Sequence, residues 1–393
     1  MAQVEQTQVA IIGGGPAGLL LGQLLHTAGI DCIVIERQTR NHVLSRIRAG
    51  VLENGFVSLM EQAGVATRLH EQGIIHTGVS LSYGDRHTRI KFADHIDKNV
   101  TVYGQTEVTQ DLYDARDQHG GTNFFSVEGV SIDNLDTSKP QVSFKQHDKY
   151  VVINCDFVAG CDGFHGVSRK TIPDDIREEF HQEYPFGWMG VLSATAPVHD
   201  EVLYSNSERG FALCSMRNQN LSRYYVQCDA TDNVEDWSDD RFWEELKRRL
   251  PQDFSNQLQT SESIEKSIAP LRSFVCQPMQ WGKLYLCGDA AHIAPPTGAK
   301  GLNTAASDVH YLFNALVSYY QDNDENRLQK YSATALARVW KTQRFSWWMT
   351  NLLHRFPDQN PYERRMQHAE FDYLSSHPTA QANLAINYVG LAY

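Results

Sequence analysis

The sequence predicts a mixed α/β and α+β protein: a Rossmann-like domain on a parallel sheet, an interleaved antiparallel-sheet domain, and a C-terminal helical region. Three observations carry this. The apolar run from Gln8 to Ile12 ends in the turn Gly13-x-Gly15-x-x-Gly18, passes into a helical pattern over Pro16–Ala28 and is followed by a second apolar run, Cys32–Ile35; strand, glycine turn, helix, strand is the βαβ unit. Between about Phe186 and Val226 the pattern changes to short β-branched and aromatic segments, Trp188–Leu192 and Ser222–Gln227, as in antiparallel strands. From Leu302 onward the chain reads as mainly helical, through Asn314–Tyr320 and Leu336–Trp348.

Each element has its own signal. The first helix carries Leu19, Leu20, Leu24 and Leu25 at helical spacing. A helix is expected over Trp237–Leu250, with Ser238 and Asp239 near its start and Pro251 ending it. Leu284–Leu286 reads as a strand ending in Gly288-Asp289, Pro295-Pro296-Thr297-Gly298 as a rigid loop, and Gly301-Leu302-Asn303 as the opening of a helix. Repeats, low-complexity stretches and flexible linkers are absent, so the units are expected to interleave. The expected division is 1–182 for cofactor binding, 183–272 for a substrate-binding sheet, and 273–393 for a second cofactor segment followed by helices.

Composition narrows the class. The 393 residues allow two or three compact units with a sizeable core, and 41% hydrophobic with 21% charged residues is the profile of a soluble globular protein. The polar start MAQVEQTQ lacks the order of a signal peptide, and glycines interrupt the apolar stretch that follows; a cytoplasmic protein without membrane attachment is expected. The seven cysteines form no CxxC pair, which points to free buried thiols and no metal site. A net charge of −12 disfavours nucleic acid as a partner. Against that background Arg37, Arg40, Arg46 and Arg48 form a local basic patch suited to phosphates.

The glycine motif supplies a tight turn at Gly13, bare backbone for a pyrophosphate at Gly15 and close helix–sheet packing at Gly18, with the N–H groups of the helix facing the phosphates. Glu36 ends the second strand 18 residues after Gly18, where a carboxylate accepts hydrogen bonds from an adenosine ribose. These features fit NAD and FAD alike. The later segments favour FAD: Gly288-Asp289 places a carboxylate near a flavin ribitol, and the helix opening at Gly301 points its positive end toward a reduced ring.

Asp162-Gly163 with Ser168-Arg169 is similar to the second fingerprint of the class A flavoprotein monooxygenases, which touches FAD and NAD(P)H together. Over essentially its full length the chain resembles this family, in its 4-hydroxybenzoate-hydroxylating branch. The resemblance lies in SRIRAGVLE, TVYGQTEVT, AGCDGFHG, YPFGW, RGFALCS, SRYYVQ, KSIAPLRSF, GDAAHIAPPTGAKGLN, RFSWWMT and NYVGL. It implies FAD contacts at Glu36, Arg46, Arg48, Gln105, Asp162, Asp289, Leu302 and Asn303. Substrate contacts are implied at Ser215, Arg217 and Tyr225 for the carboxylate, at Met216 between them, at Tyr204 backed by Tyr388 for the phenol, and at the Pro296 carbonyl for the ring. His76 stands where the family has the outer end of a proton relay. NAD(P)H contacts are implied at Arg37, Arg40, His42, Arg46, Arg48, His165 and Arg272. Ala17 replaces a serine frequent in the family, and His42 a tyrosine of NADPH-strict members, so NADPH with some use of NADH is expected.

The implied reaction is hydroxylation of 4-hydroxybenzoate at C3 with NAD(P)H and O₂ through a flavin C4a-hydroperoxide, by a homodimer. A flavin moving between outer and inner positions is also implied, with Gly50 and Gly298 as places of slack. The residue chemistry agrees: an aromatic acid needs a cation such as Arg217 at one end. Electrophilic hydroxylation needs the phenol proton removed, which a tyrosine pair leading to a histidine can do. A hydroxylase of another benzoate (3-hydroxybenzoate, salicylate or 4-aminobenzoate) and a non-catalytic FAD- or nucleotide-binding sensor are the alternatives left open.

Overall fold

The computed structural model describes residues 3–45 and 50–393; Arg46 and Arg48, both expected at the nucleotide site, lie outside the described residues. The first sheet has six strands, and its core is parallel: Leu284–Leu286, Phe157–Gly160, Val9–Ile12, Cys32–Ile35 and Asn123–Phe124 lie side by side in that order. Buried Val, Ile, Leu and Ala fill these strands, as expected of a sheet covered on both faces. Helix Pro16–Thr27 buries Leu19, Leu20, Leu21, Leu24 and Leu25 against it, within one core that also takes in helix Gly301–Asp322. The two apolar runs of the βαβ unit thus became strands and the intervening pattern a helix, as the sequence indicated.

The second sheet has eight strands and is antiparallel over most of its width. At its centre, Glu178–Ser193, Leu221–Asp229, Gly210–Asn218 and Leu203–Ser207 pair in turn. The hairpin Gly78–Tyr83/Arg86–Lys91 joins its edge, parallel to Leu203–Ser207. Segments from the first eighty-odd residues therefore enter both sheets, so the units interleave. Strands Glu178–Ser193 and Ser263–Gln277 run between the two regions, with Glu183 opposite Arg272 where the expected divisions fall.

Alternation gives this sheet two unlike faces. Leu203, Ala212, Cys214, Tyr224 and Val226 pack with Phe242, Trp243 and Leu246 of helix Asp239–Arg249, capped by the Ser238 side chain as the sequence suggested. Tyr204, Phe211, Leu213 and Trp188 pack on the other face with Phe345, Met349, Leu353, Leu384 and Tyr388. The C-terminal helices are longer than their strongest sequence signals: Gly301–Asp322 and Asn326–Leu353, then Pro361–Ser376 and Pro378–Val389. Packing extends them past the segments whose periodicity is clear. Among the described residues no helix is long and apolar enough to cross a membrane. All seven cysteines are free thiols.

Candidate active site

The cofactor motifs converge because their strands are parallel neighbours. Gly13, Glu36, Asp162 and Asp289 each follow the carboxyl end of one of four adjacent strands, where open α/β sheets bind ligands. Gly13 has φ +116°, and a Cβ there would lie 2.2 Å from the Cys161 carbonyl oxygen. At Gly18 a Cβ would lie 2.0 Å from the Gly13 carbonyl oxygen, so only glycine lets the helix approach the strand. Gly15, Gly163 and Gly301, one from each motif, instead face open space. Three bare backbone surfaces around one sheet end leave room for an extended dinucleotide.

Two of the carboxylates, Glu36 and Asp162, are held by the protein. Glu36 accepts the Gly14 N–H at 2.7 Å and the Gln38 N–H at 2.8 Å, and Tyr113 donates to the Gly14 carbonyl at 2.7 Å. Asp162 Oδ2 accepts the Ser168 N–H at 2.9 Å and its hydroxyl at 3.0 Å. Its Oδ1 is buried without a partner among the described residues, and burial raises the Asp162 pKa. An orphaned buried acceptor beside an open glycine face suits a ligand donor. Asp289 is exposed, and Gln105 and Leu302 are half-buried, with Gln105 opening helix Gln105–Gln118. The Asn303 side chain is committed within the protein: Oδ1 accepts the Glu53 N–H, while Nδ2 donates to the Val51 and Ala299 carbonyls. It shapes the loop that opens helix Gly301–Asp322.

Tyr204, Ser215 and Tyr225, expected to meet substrate, lie on one face of the large sheet. Tyr204 pairs with Leu213, which pairs with Tyr225, which pairs with Gly190, and cross-strand partners share a face. A Cβ at Gly190 would lie 2.7 Å from the Tyr225 ring, so this unpredicted glycine is what lets the tyrosine lie flat. Ser215 is two residues along from Leu213, about 7 Å by strand rise, and Arg217 follows where the register shifts, its guanidinium interacting with Tyr225. Arg217 Nε and Nη1 are buried without partners among the described residues, and burial lowers its pKa. An unpaired, desolvated guanidinium is a ready site for a carboxylate. Met216 alternates to the opposite face, opposite Ser222, so it can meet a ligand on the Tyr204 face only through its backbone. The Pro296 carbonyl accepts the Ala299 N–H at 3.0 Å, closing a turn in which Gly298 and Ala299 have φ +87° and +54°. At Gly50 a Cβ would lie 1.8 Å from the Tyr103 carbonyl oxygen, so this glycine serves a close backbone approach.

Tyr204 and Tyr388 are buried with their hydroxyls 3.2 Å apart. Burial pushes the Tyr204 pKa up to about 12, the Tyr388 hydrogen bond partly opposing it, and raises Tyr388 well above its ordinary range. Both are therefore neutral phenols at pH 7. Neither is a standing base, so each passes a proton only as it receives one. His76 is also buried, with both ring nitrogens unpartnered, and desolvation lowers its pKa to about 4. Lys300, within a quoted motif but not singled out from sequence, donates to the Tyr388 carbonyl at 2.8 Å and to Glu53 Oε1 at 2.7 Å. Arg338 holds Glu53 Oε2 at 3.0 Å. This buried network fixes Tyr388 and was invisible in sequence because its members are 53, 300 and 338.

The nucleotide side is mixed. Arg37 and His42 are exposed, and Thr39 caps the short helix Arg40–Leu44. Arg40 pairs with Asp114 at 3.1 Å and with Asp117, so two carboxylates already match its charge. Arg272 stacks over the Phe164 ring at 4.1 Å, Arg169 over the same ring at 4.6 Å, and His165 beside it is exposed.

Residues 6–346 match the FAD binding domain family. The chain is 52% identical to the p-hydroxybenzoate hydroxylase of Acinetobacter baylyi, over 100% of this chain and 97% of that one. It is 24% identical to the 3-(3-hydroxy-phenyl)propionate/3-hydroxycinnamic acid hydroxylase 2 of Burkholderia vietnamiensis, over 78% of this chain and 55% of the relative. The solved p-nitrophenol 4-monooxygenase of Pseudomonas putida shares the fold at TM-score 0.85 and 17% identity, each chain covered in full. The parallel-sheet glycine site, the full-length identity and the shared fold agree: the chain belongs to the FAD-binding class A flavoprotein aromatic hydroxylases.

Proposed function

We propose that the protein is an FAD- and NAD(P)H-dependent monooxygenase converting 4-hydroxybenzoate and O₂ to 3,4-dihydroxybenzoate. One observation carries the choice of substrate. The unpaired Arg217 guanidinium, which interacts with Tyr225, and the buried Tyr204–Tyr388 hydroxyl pair, on the face that Tyr225 shares with Tyr204, suit a ring with a carboxylate and a phenol para to each other. The relative named p-hydroxybenzoate hydroxylase supports the same reading.

Gly13, Gly15 and Gly18 with Glu36, Asp162, Asp289 and the backbone at Leu302 and Asn303 would hold FAD. When bound, FAD accepts hydride and activates oxygen for transfer to the ring. The chain's own residues do the rest. Arg217, Ser215 and Tyr225 hold the carboxylate. Tyr204 takes the phenol proton as its own passes to Tyr388, and His76 delivers it outward. The ring gains the electron density that hydroxylation needs, while the packed sheet face excludes bulk water. Arg37, His165 and Arg272 serve NAD(P)H, Arg40 contributing little because Asp114 and Asp117 already hold it.

The exposed Trp340 and Trp347, with Tyr362, Met366 and Tyr373 on the next helix, offer a homodimer contact. Free thiols fit a reducing cytoplasm. The test is NADPH and NADH oxidation with 4-hydroxybenzoate, 3-hydroxybenzoate, salicylate and 4-aminobenzoate, with products identified, in wild type and Tyr204→Phe. The expected result is 3,4-dihydroxybenzoate from the wild type. Tyr204→Phe should still bind substrate and consume NAD(P)H, but release mostly hydrogen peroxide, because loss of a positioned proton-transfer group typically costs about 10²–10⁴-fold. Wild-type coupling in Tyr204→Phe would overturn the mechanism.

A further inference from the structure

Beside His76 lies an ion pair that the reaction above does not use. Glu201, buried in the loop before strand Leu203–Ser207, accepts Arg89 Nε–H at Oε2 (2.7 Å) and Nη2–H at Oε1 (2.8 Å). Oε1 also accepts the Thr77 N–H at 3.0 Å and the Thr77 hydroxyl at 3.2 Å. Arg89 Nη2 reaches Thr77 Oγ1 at 2.9 Å. A Cβ at Gly78 would stand 3.0 Å from Glu201 Oε2 and 3.1 Å from Arg89 Nη2, so the clamp closes on bare backbone. The peptide that follows His76 is thus gripped on two sides. The same turn reaches the tyrosine pair: the Thr77 carbonyl accepts the Phe92 N–H at 2.8 Å, and the Phe92 ring stacks on Tyr388 at 5.6 Å.

Among the described residues no hydrogen bond orients the His76 ring, so its backbone must. Among the described residues the charged and titratable groups around it are few. Glu201, Asp200 and His199 come from the loop before Leu203. Arg89, bound to Glu201, comes from strand Arg86–Lys91, with His87 against His199 and Asp94 beyond. Tyr388 comes from helix Pro378–Val389 and feels the Glu201 charge.

We propose that Glu201, locked by Arg89, is a positioning residue of the proton path. It holds the His76–Thr77–Gly78 turn against the Phe92–Tyr388 stack and supplies the negative charge that lets the His76 ring carry a proton in transit. This rests on the reading of His76 as the end of the relay. The balance is simple: the substrate phenol loses a proton to Tyr204 and is left as the phenolate, Tyr204 passes its own to Tyr388, a bridging water carries one from Tyr388 to His76, and His76 releases it to solvent. The one side chain that becomes charged as the proton passes is the imidazolium. Burial opposes it, and Glu201 is the largest influence favouring it. An opposite charge nearby shifts a pKa by about 1–3 units, so its loss should slow proton release about 10-fold or more.

The experiment mixes holoenzyme with 4-hydroxybenzoate across pH, following phenolate absorbance and the proton released to an indicator dye. Glu201→Gln is expected to keep FAD content and substrate affinity, slow proton release and shift its pH profile; Glu201→Asp should restore part of the rate. Arg89→Lys, which keeps the charge but not the fork, should show a smaller slowing and serves if Glu201→Gln fails to fold. Adding Glu201→Gln to His76→Asn should slow release no further. Slowed release in His76→Asn with a wild-type rate and profile in Glu201→Gln overturns this proposal alone. Wild-type release in His76→Asn overturns the relay reading and the proposal with it.

Discussion

His354 should make the protein acid-labile in a way that one substitution removes. The ring is buried between Phe186 and Phe211, at centroid distances of 4.7 and 4.4 Å. Its Nδ1–H donates to the Thr350 carbonyl at 2.9 Å, and its Nε2 accepts the Trp188 indole N–H at 2.7 Å. Only the neutral tautomer fits, since a proton on Nε2 would point at another donor. Burial lowers the His354 pKa to about 3. The sign follows: the unfolded histidine takes its proton near pH 6.5 and the folded one does not. Stability is therefore complete above about pH 6.5 and is lost as pH falls toward 3. At pH 5 the unfolded state gains about 2 kcal/mol from this group. The assay is urea unfolding of wild type and His354→Gln at pH 7.5 and pH 5. The variant should be less stable at pH 7.5, but its further drop at pH 5 should be smaller by about 2 kcal/mol. Subtraction removes the other titrating groups, such as His76 (same direction) and His292, whose pKa its partner Asp308 raises against burial. Equal drops in both proteins would refute the reasoning. The consequence reaches the site because Trp188 stacks on Phe211 at 4.7 Å beneath Tyr204.

Arg217→Lys should weaken 4-hydroxybenzoate binding by roughly 30- to 5,000-fold without lowering FAD content, because an ammonium cannot reproduce the bidentate fork; equilibrium titration checks it, and an unchanged Kd removes Arg217 from the site. Gly18→Ala should purify largely without flavin, read as absorbance near 450 nm against protein (~1:1 in wild type), since its methyl would meet the Gly13 carbonyl at 2.0 Å; full flavin content would contradict the packing. NADPH should be favoured over NADH with measurable use of both, and Arg37→Ala should narrow that preference more than Arg40→Ala, whose guanidinium is already paired. Steady-state kinetics with both nucleotides decide this, and an NADH preference in wild type would show that the segment does not read the 2′-phosphate.

The sequence by itself determined the parts whose signal is local. A glycine turn between apolar runs, an acid 18 residues later and the second and third motifs each state a backbone shape within a few residues, and that shape is what a dinucleotide needs. Strand Cys32–Ile35 and strand Leu284–Leu286 fall where their apolar runs stand, and Ser238 caps the helix it was expected to start. Arg217 and Tyr204 were reached through resemblance, since one arginine or tyrosine carries no local mark. What only the tertiary structure decided depends on residues far apart in the chain. Glu53, Lys300 and Arg338 form one buried network, Glu201 finds Arg89 across 112 positions, and Arg40 is neutralised by Asp114 and Asp117 across more than 70. Met216 was grouped with its neighbours until alternation turned its side chain away. Charge pairing and burial are set by which strands become neighbours. A sequence fixes that choice only through the whole fold, so these partners could not be read from any single stretch of it.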